Sequence, residues 1–181
     1  MADQDPVTYN NEEFSHVLMV SRLSREKGID RAIRALAHVN AHGIRACLHL
    51  VGDGIEREKL RLLAEELDIS DLVVFHGEQA NPYRYMKNAD LFLMTSYHEA
   101  APMVIDEARA LGLPILTTET TSAHNMVTDR HCGWVCENSQ SAINAALVTT
   151  LDSVRSTDRD PQQTKENNDL AFSQWENMLG L

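Results

Sequence analysis

Short apolar runs alternate along most of this chain with stretches whose apolar residues recur at helical spacing. His16–Val20 (HVLMV) reads as a buried strand. In Ile29–Val39 the apolar residues Ile29, Ala32, Ile33, Leu36 and Ala37 mark one face of a helix. Gly43 supplies its stop. Ala46–Val51 (ACLHLV) reads as a second strand, and Ile55–Leu67 as a helix with Leu60, Leu63, Ala64 and Leu67 on one side. Val73–His76 is a third strand. Asn81–Asn88 is a short helix with Pro82 in its first turn. Leu91–Thr95 (LFLMT) precedes a helix over Pro102–Leu111 that Gly112 ends. Ile115–Thr117 precedes a short helix over Ser122–Thr128. Trp134–Cys136 precedes a helix over Ser139–Val154, entered through Asn138 or Ser139 as N-cap.

Six βα units in a row predict an α/β fold. Strands without polar alternation belong in a parallel sheet covered on both faces. Right-handed crossovers then give a doubly wound, Rossmann-like domain, whose ligands sit beyond the carboxyl ends of the strands. We place this domain at residues 1–154. Residues 155–170 (RSTDRDPQQTKENNDL) bury almost nothing and read as a polar linker. Ala171–Leu181 follows as a short amphipathic helix carrying Phe172, Trp175 and Leu179.

Composition narrows the function. With 43 % hydrophobic and 24 % charged residues, the chain is an ordinary globular one. No apolar run approaches the ~20 residues of a membrane span, and the acidic start (MADQDPVTYNNEEF) is unlike a signal peptide. The three cysteines, Cys47, Cys132 and Cys136, are odd in number, and Cys132-x3-Cys136 lacks a second ligand pair. They read as reduced thiols in a cytoplasmic protein, with no metal site. The net charge is −11, yet residues 1–61 hold nine basic and nine acidic side chains, so the rest of the chain carries the whole excess. Such a chain repels polyanions, which argues against nucleic acid as a partner. A small phosphorylated ligand can still bind where a few cations and backbone amides converge.

Every candidate group falls at the end of a predicted strand. Arg22 and Lys27 flank the polar loop Ser21–Gly28 and can close on a diphosphate, one as a fork and one as a point charge. A solvated basic loop beside Glu26 has the same spacing. Gly52-Asp53-Gly54-Ile55-Glu56-Arg57 invites a dinucleotide reading. Its sixth position is Arg57 rather than Gly, and Asp53 stands where a pyrophosphate would lie, so a tight turn with a helix cap fits better. His76-Gly77-Glu78 leaves the third strand; Gly77 permits close approach of a flat base, and a plain strand exit explains it equally well. After the fourth strand, Ser96–Ala101 leads to Pro102 at a helix start. The amides of Met103 and Val104 there lack helical acceptors at the positive end of the helix. Glu107 lies one turn further, among Val104, Ile105, Ala108 and Leu111. Glu99 as an exposed acid and Glu107 as a dipole-complementing one is the alternative account. Thr117–Ser122 offers hydroxyls that capping explains.

In this order, VSRLSREKGIDRAIRAL, LHLVGDGIEREKLRLLAEEL, VVFHGE, YMKNADLFLMTSYHEAAPMVIDEARALGLPILTT and GWVCEN resemble the C-terminal domain of the family 4 retaining, nucleotide-sugar-dependent glycosyltransferases (glycosyl transferases group 1). The resemblance runs from about residue 16 to residue 154, and Glu99 to Glu107 matches the family's E-x7-E element. It implies the donor-binding half of a GT-B hexosyltransferase, with UDP-sugar as donor and a polysaccharide or glycolipid precursor as acceptor. It also implies that Arg22 and Lys27 hold the diphosphate and that Glu99 reads the sugar hydroxyls. The amides around Ala101, Pro102, Met103 and Val104 would face sugar and phosphate, Glu107 would bind ribose, and His76, Gly77 and Glu78 would meet the base. The family needs no metal and no cofactor. Where it often has Gly and then Phe-Gly, this chain has Ala100, Ala101 and Pro102, which alters the sugar pocket. The family's N-terminal acceptor domain has no counterpart in this chain, so the resemblance implies a piece of a longer enzyme, peripheral at the inner membrane face, inactive in transfer by itself. Two other classes stay open: a non-catalytic nucleotide-binding or interaction module, and a nicotinamide-dependent oxidoreductase, which the broken glycine fingerprint disfavours.

Overall fold

The computed structural model describes residues 7–9 and 13–156. Six strands, β1 (Ser15–Val20), β2 (Ala46–Val51), β3 (Val73–Gly77), β4 (Leu91–Met94), β5 (Ile115–Thr118) and β6 (Gly133–Cys136), form one sheet in the order β3-β2-β1-β4-β5-β6. All neighbouring strands run parallel. The expected doubly wound, Rossmann-like architecture is the one observed. Its strand order reverses between β1 and β4, which opens a crevice at their carboxyl ends.

Helices α1 (Ile29–Ala41), α2 (Arg57–Glu66), α3 (Tyr83–Met86), α4 (Met103–Ala110) and α5 (Gln140–Ser156) connect or follow the strands. Side chains of a strand alternate between faces, and two cores result. Val17, Met19, Leu91 and Leu93 pack with Ile33 and Leu36 of α1 and with Leu147 and Leu151 of α5. Leu18, Phe92 and Met94 pack on the other face, with Ile105 and Ala108 of α4 and Met86 of α3. Burial on both faces explains why β1 and β4 carry no polar alternation.

Element ends shift by a residue or two from the sequence expectation. Helix α2 begins at Arg57 rather than Ile55, because residues 52–56 form a turn locked to the neighbouring loop. Leu23 N–H donates to Asp53 O (2.9 Å), and Glu56 N–H donates to Leu23 O (3.0 Å). At Gly52 (φ 130°), a Cβ would lie 2.0 Å from Ser21 O, so only glycine fits. Pro102 is the N-cap of α4, with extended ψ, and not its first helical residue. The short helix expected over Ser122–Thr128 is a wide π turn over His124–Thr128. Capping does not explain Thr120 and Ser122: their hydroxyl oxygens are buried and have no hydrogen-bond partner among the described residues. Helix α5 is entered through Ser139, whose Oγ accepts from Ala142 N–H (3.2 Å), and it continues to Ser156. The expected tail with Phe172, Trp175 and Leu179 lies outside the described residues. Among those described, no helix is long and apolar enough to cross a membrane.

Candidate functional site

The loops after β1 and β4 flank the point where the strand order reverses, and they carry most of the expected groups. Lys27 Nζ donates to Glu99 Oε1 at 2.6 Å, with the two side chains 22 % and 13 % exposed. Ser96 Oγ donates to the same oxygen at 2.9 Å. The loop is held from below. Thr95 Oγ1 donates to Gly28 O (2.8 Å), Thr118 Oγ1 to Ser96 O (2.7 Å), and Tyr97 N–H to Glu26 O (2.9 Å). A turn with so many tertiary hydrogen bonds presents Glu99 at a fixed place.

Arg22 behaves differently. Its side chain is 81 % exposed, and among the described residues its ion pair is with Glu26, at 4.0 Å. It stands over a cleft of about 310 Å³, lined also by Ser21, Asp53, Glu78, Gln79 and Pro82. The structure therefore does not bring Arg22 and Lys27 together as a closed pair. Lys27 belongs to a smaller recess of about 30 Å³ beside Ser21, Ser96, Glu99, Pro102 and Val104, large enough for about one water. Asp53 is turned to Arg57 at 3.5 Å, so its charge is partly answered within the chain.

Helix α4 starts at the rim of this recess. Ile105 N–H reaches Pro102 O (3.1 Å). Among the described residues the amides of Met103 and Val104 have no acceptor, as the sequence leads one to expect, and the Met103 side chain is 77 % exposed. One turn on, Glu107 is half-buried and accepts from the Tyr83 hydroxyl at 3.2 Å. Burial raises the Glu107 carboxyl above its ordinary range, and the Tyr83 bond pulls it partly back. Burial and the nearby carboxylate push the Tyr83 phenol up to about 12. Tyr83 was not among the residues the sequence singled out. Its placement after Pro82 at the head of α3 is the only local signal.

The loop after β3 is split. Glu78 lines the cleft, whereas the His76 ring turns inward between His49 (N···N 3.1 Å) and Tyr85 (ring centroids 4.6 Å). His49 in turn meets His16 at 3.0 Å, and the Tyr9 ring stacks on His16 and lies tilted against His49. Three strands thus each supply one imidazole to a ladder on the α3 face. Burial and the two neighbouring imidazoles push His49 down to about 3, and burial lowers His76. Among the described residues, no cluster of His, Cys, Asp and Glu is arranged to hold a metal ion. A larger depression of about 670 Å³ beside Leu113, Cys132 and Trp134 opens where β5 and β6 begin. Sheets of this topology bind ligands at the opposite end, so the crevice between β1 and β4 is the better candidate despite its smaller volume.

A family model described as glycosyl transferases group 1 matches residues 2–169. The chain is 35 % identical over 144 residues to the lipopolysaccharide glucosyltransferase WaaG of Escherichia coli K12, an alignment that covers 77 % of this chain and 38 % of that one. It is 30 % identical over 130 residues to the N-acetyl-alpha-D-glucosaminyl L-malate synthase of Bacillus anthracis, covering 71 % and 34 %. Among solved structures, that of WaaG, a glycosyltransferase involved in lipopolysaccharide biosynthesis, superposes with a TM-score of 0.72 at 33 % identity, covering 87 % of this chain and 42 % of the other. Anabaena Alr3699/HepE, solved in complex with UDP and glucose, shares the fold with a TM-score of 0.70 at 24 % identity, covering 88 % and 44 %. The chain spans well under half the length of these relatives.

Proposed function

The chain belongs to the glycosyl transferases group 1 family, and from that premise we propose that it is the donor-binding part of a retaining glycosyltransferase. The donor is a nucleoside diphosphate sugar, with UDP as the nucleotide. The acceptor is a saccharide or lipid-linked precursor of a cell-surface polysaccharide or lipopolysaccharide, bound by a second domain of the whole enzyme. The observation that carries the reading is the Lys27–Glu99 contact beside the open amides of α4, at the crevice where such sheets take their ligands. WaaG being a glucosyltransferase and HepE holding UDP with glucose point the same way.

The chemistry asks for little beyond charge. The acceptor's hydroxyl oxygen forms the new bond to the sugar's anomeric carbon as the bond from that carbon to the phosphate oxygen breaks. The broken bond's electron pair goes to the leaving diphosphate, which takes up the hydroxyl proton. Arg22, the two remaining Lys27 protons and the Met103 and Val104 amides at a helix N-terminus stabilise the charge that develops on it. Glu99, already fixed by Lys27 and Ser96, accepts from sugar hydroxyls and orients the ring. Glu107 accepts from the ribose hydroxyls. Gly77 and Glu78 border the base, with the His76 ring behind them as support.

Calorimetric titration of the chain with UDP and UDP-glucose tests this. Both bind, and replacing Arg22 and Lys27 together with Ala weakens UDP by about 2–4 kcal/mol through lost charge-assisted bonds. Unchanged affinity in that variant removes the diphosphate assignment. We expect the chain alone to transfer no sugar, because it spans less than half the length of its relatives and the acceptor is assigned to the remainder; robust transfer by it would overturn the two-domain reading.

A further inference from the structure

Arg31 of α1 is a charged residue in an apolar place, only 4 % exposed and paired with no carboxylate among the described residues. Its Nη1 donates to Thr95 O (3.3 Å) and to Asn138 Oδ1 (2.6 Å), and the guanidinium lies 4.6 Å over the centre of the Tyr97 ring. Its Nη2 is buried and has no partner among the described residues. Burying a cation against neutral oxygens is costly, so the contacts it makes must matter to the architecture around it.

What the contacts organise is a single amide. Because Arg31 occupies Asn138 Oδ1, the Nδ2 group of Asn138 has to face the other way. There it donates to Tyr97 O (3.0 Å) and Glu119 O (3.1 Å). One guanidinium and one amide thereby tie together the ends of β4, β5 and β6. Thr95 and Tyr97 are gripped on their carbonyls and Tyr97 on its ring. The next link is Ser96, whose hydroxyl donates to Glu99. The opposite side of the Glu99 carboxylate is closed by Lys27.

We propose that Arg31, acting through Asn138 and Tyr97, is a positioning residue that sets where the Glu99 carboxylate stands for the donor sugar. This rests on the reading of the crevice as a nucleotide-sugar site. It assigns Arg31 no contact with the nucleotide, so the effect of losing it must fall on the sugar. The guanidinium's flat face and its fork are both used, so lysine is a poor substitute. Asn138→Asp keeps a partner for Arg31 and loses both donors to the loops, which separates the grip on Tyr97 from the burial of the charge.

The test is calorimetry with UDP and with UDP-glucose on the full chain, for Arg31→Met, Arg31→Lys and Asn138→Asp, each alone and in a Glu99→Ala background. Each Arg31 or Asn138 substitution leaves UDP affinity within about twofold of the background it is made in. The ratio of UDP-glucose to UDP affinity falls about five- to tenfold in Arg31→Met and Asn138→Asp, and less in Arg31→Lys. In the Glu99→Ala background these substitutions change the ratio no further. Equal weakening of both ligands, or an undiminished effect without Glu99, overturns the proposal. Amide hydrogen exchange provides an arm that needs no ligand. In Asn138→Asp, residues 95–99 exchange faster while the 52–56 turn does not change. An unaltered 95–99 segment overturns the proposal. If the unsubstituted chain binds neither UDP nor UDP-glucose, the nucleotide-sugar reading fails, and exchange alone then decides the role of Arg31.

Discussion

Lys27 Nζ and Glu99 Oε1 stand 2.6 Å apart, so the cation and the acid expected to take different parts of a ligand hold each other first. The pair is mostly shielded from water, and each partner is the other's compensation. Losing one side of a fully buried pair costs roughly 3–5 kcal/mol; the partial exposure here reduces that to about 1.5–3 kcal/mol. We expect Lys27→Met to destabilise by that amount and Lys27→Met/Glu99→Gln to recover most of it. Urea denaturation of the four proteins of the cycle measures the coupling, expected near 1 kcal/mol or more. Strictly additive losses would show that the contact carries no energy.

Glu107 gives the opposite balance. Its folded pKa is raised by burial, so its contribution to stability is complete at acid pH and is lost as pH rises through the raised value. At neutral pH the ionised carboxylate is a burden that Tyr83 only partly relieves. Glu107→Gln keeps an acceptor for Tyr83 and removes the charge. Its stability at pH 7 should match or exceed that of the parent by up to about 1 kcal/mol, the advantage being small because the group is half exposed. The advantage should vanish near pH 4. UDP binding should weaken about tenfold in the same variant. A variant less stable at pH 7 than at pH 4, relative to the parent, would show that the burial argument is wrong.

The histidine ladder sets the acid limit of the fold. His49 is held near 3 against an ordinary 6.5, mainly by burial. The unfolded chain binds that proton and the folded one does not, so stability is full above about pH 6.5 and declines as pH falls towards 3. At pH 4.5 the loss from His49 alone is about 2.7 kcal/mol, at 1.36 kcal/mol per pH unit. His76, lowered in the same sense, adds to it. Thermal melts from pH 7.5 to 4.5 should show this slope, and His49→Gln should flatten it. An equal slope in that variant would place the acid sensitivity elsewhere.

The ladder also shows where reading the sequence stops. Strand and helix order, the parallel sheet and the crevice follow from apolar periodicity, because each element's burial is written in its own residues. Glu99, Lys27 and the α4 amides were legible for the same reason: each sits where a strand ends. Their partnership was not, since 72 positions separate Lys27 from Glu99 and no local pattern records which cation an acid will face. His16, His49 and His76 look like single polar residues in three strands. They become neighbours only through the β1–β2–β3 pairing, and Tyr9 covers His16 and His49 from a segment that reads as polar. Tyr83 and Arg31 escaped notice because the first lies in a four-residue helix and the second resembles any surface arginine of an amphipathic helix.

Two glycines with similar backbone angles should respond unequally to alanine. Gly28 (φ 61°) and Gly43 (φ 82°) both lie in the left-handed region, where a Cβ costs roughly 1–2 kcal/mol. Around Gly43 nothing stands within 4 Å of an added Cβ, whereas at Gly28 the atom would lie 2.2 Å from Thr95 O. Gly43→Ala should therefore lose only the conformational cost. Gly28→Ala must also separate the loops after β1 and β4, for a total of about 3 kcal/mol or more. Chemical denaturation distinguishes the two, and equal losses would mean that the loops can part freely.

Arg22 is the counterpart of Lys27 in the proposed diphosphate site and its opposite in structure. With its side chain 81 % exposed and, among the described residues, an ion pair to Glu26 at 4.0 Å, it contributes almost nothing to the fold. Exposed pairs of this kind are worth about 0–1 kcal/mol and weaken with salt. Arg22→Ala should leave the unfolding free energy within about 0.5 kcal/mol of the parent. Its effect should appear in binding alone. A guanidinium that closes on a diphosphate makes charge-assisted bonds worth about 1.5–3 kcal/mol, so UDP affinity should fall at least tenfold. UMP, with one phosphate fewer, should lose less. Because the side chain is exposed before binding, raising salt from 0.05 to 0.5 M should weaken UDP more in the parent than in Arg22→Ala. If UDP and UMP suffer alike, or salt affects both proteins equally, Arg22 does not meet the diphosphate, and Lys27 with the α4 amides must hold it without that arginine.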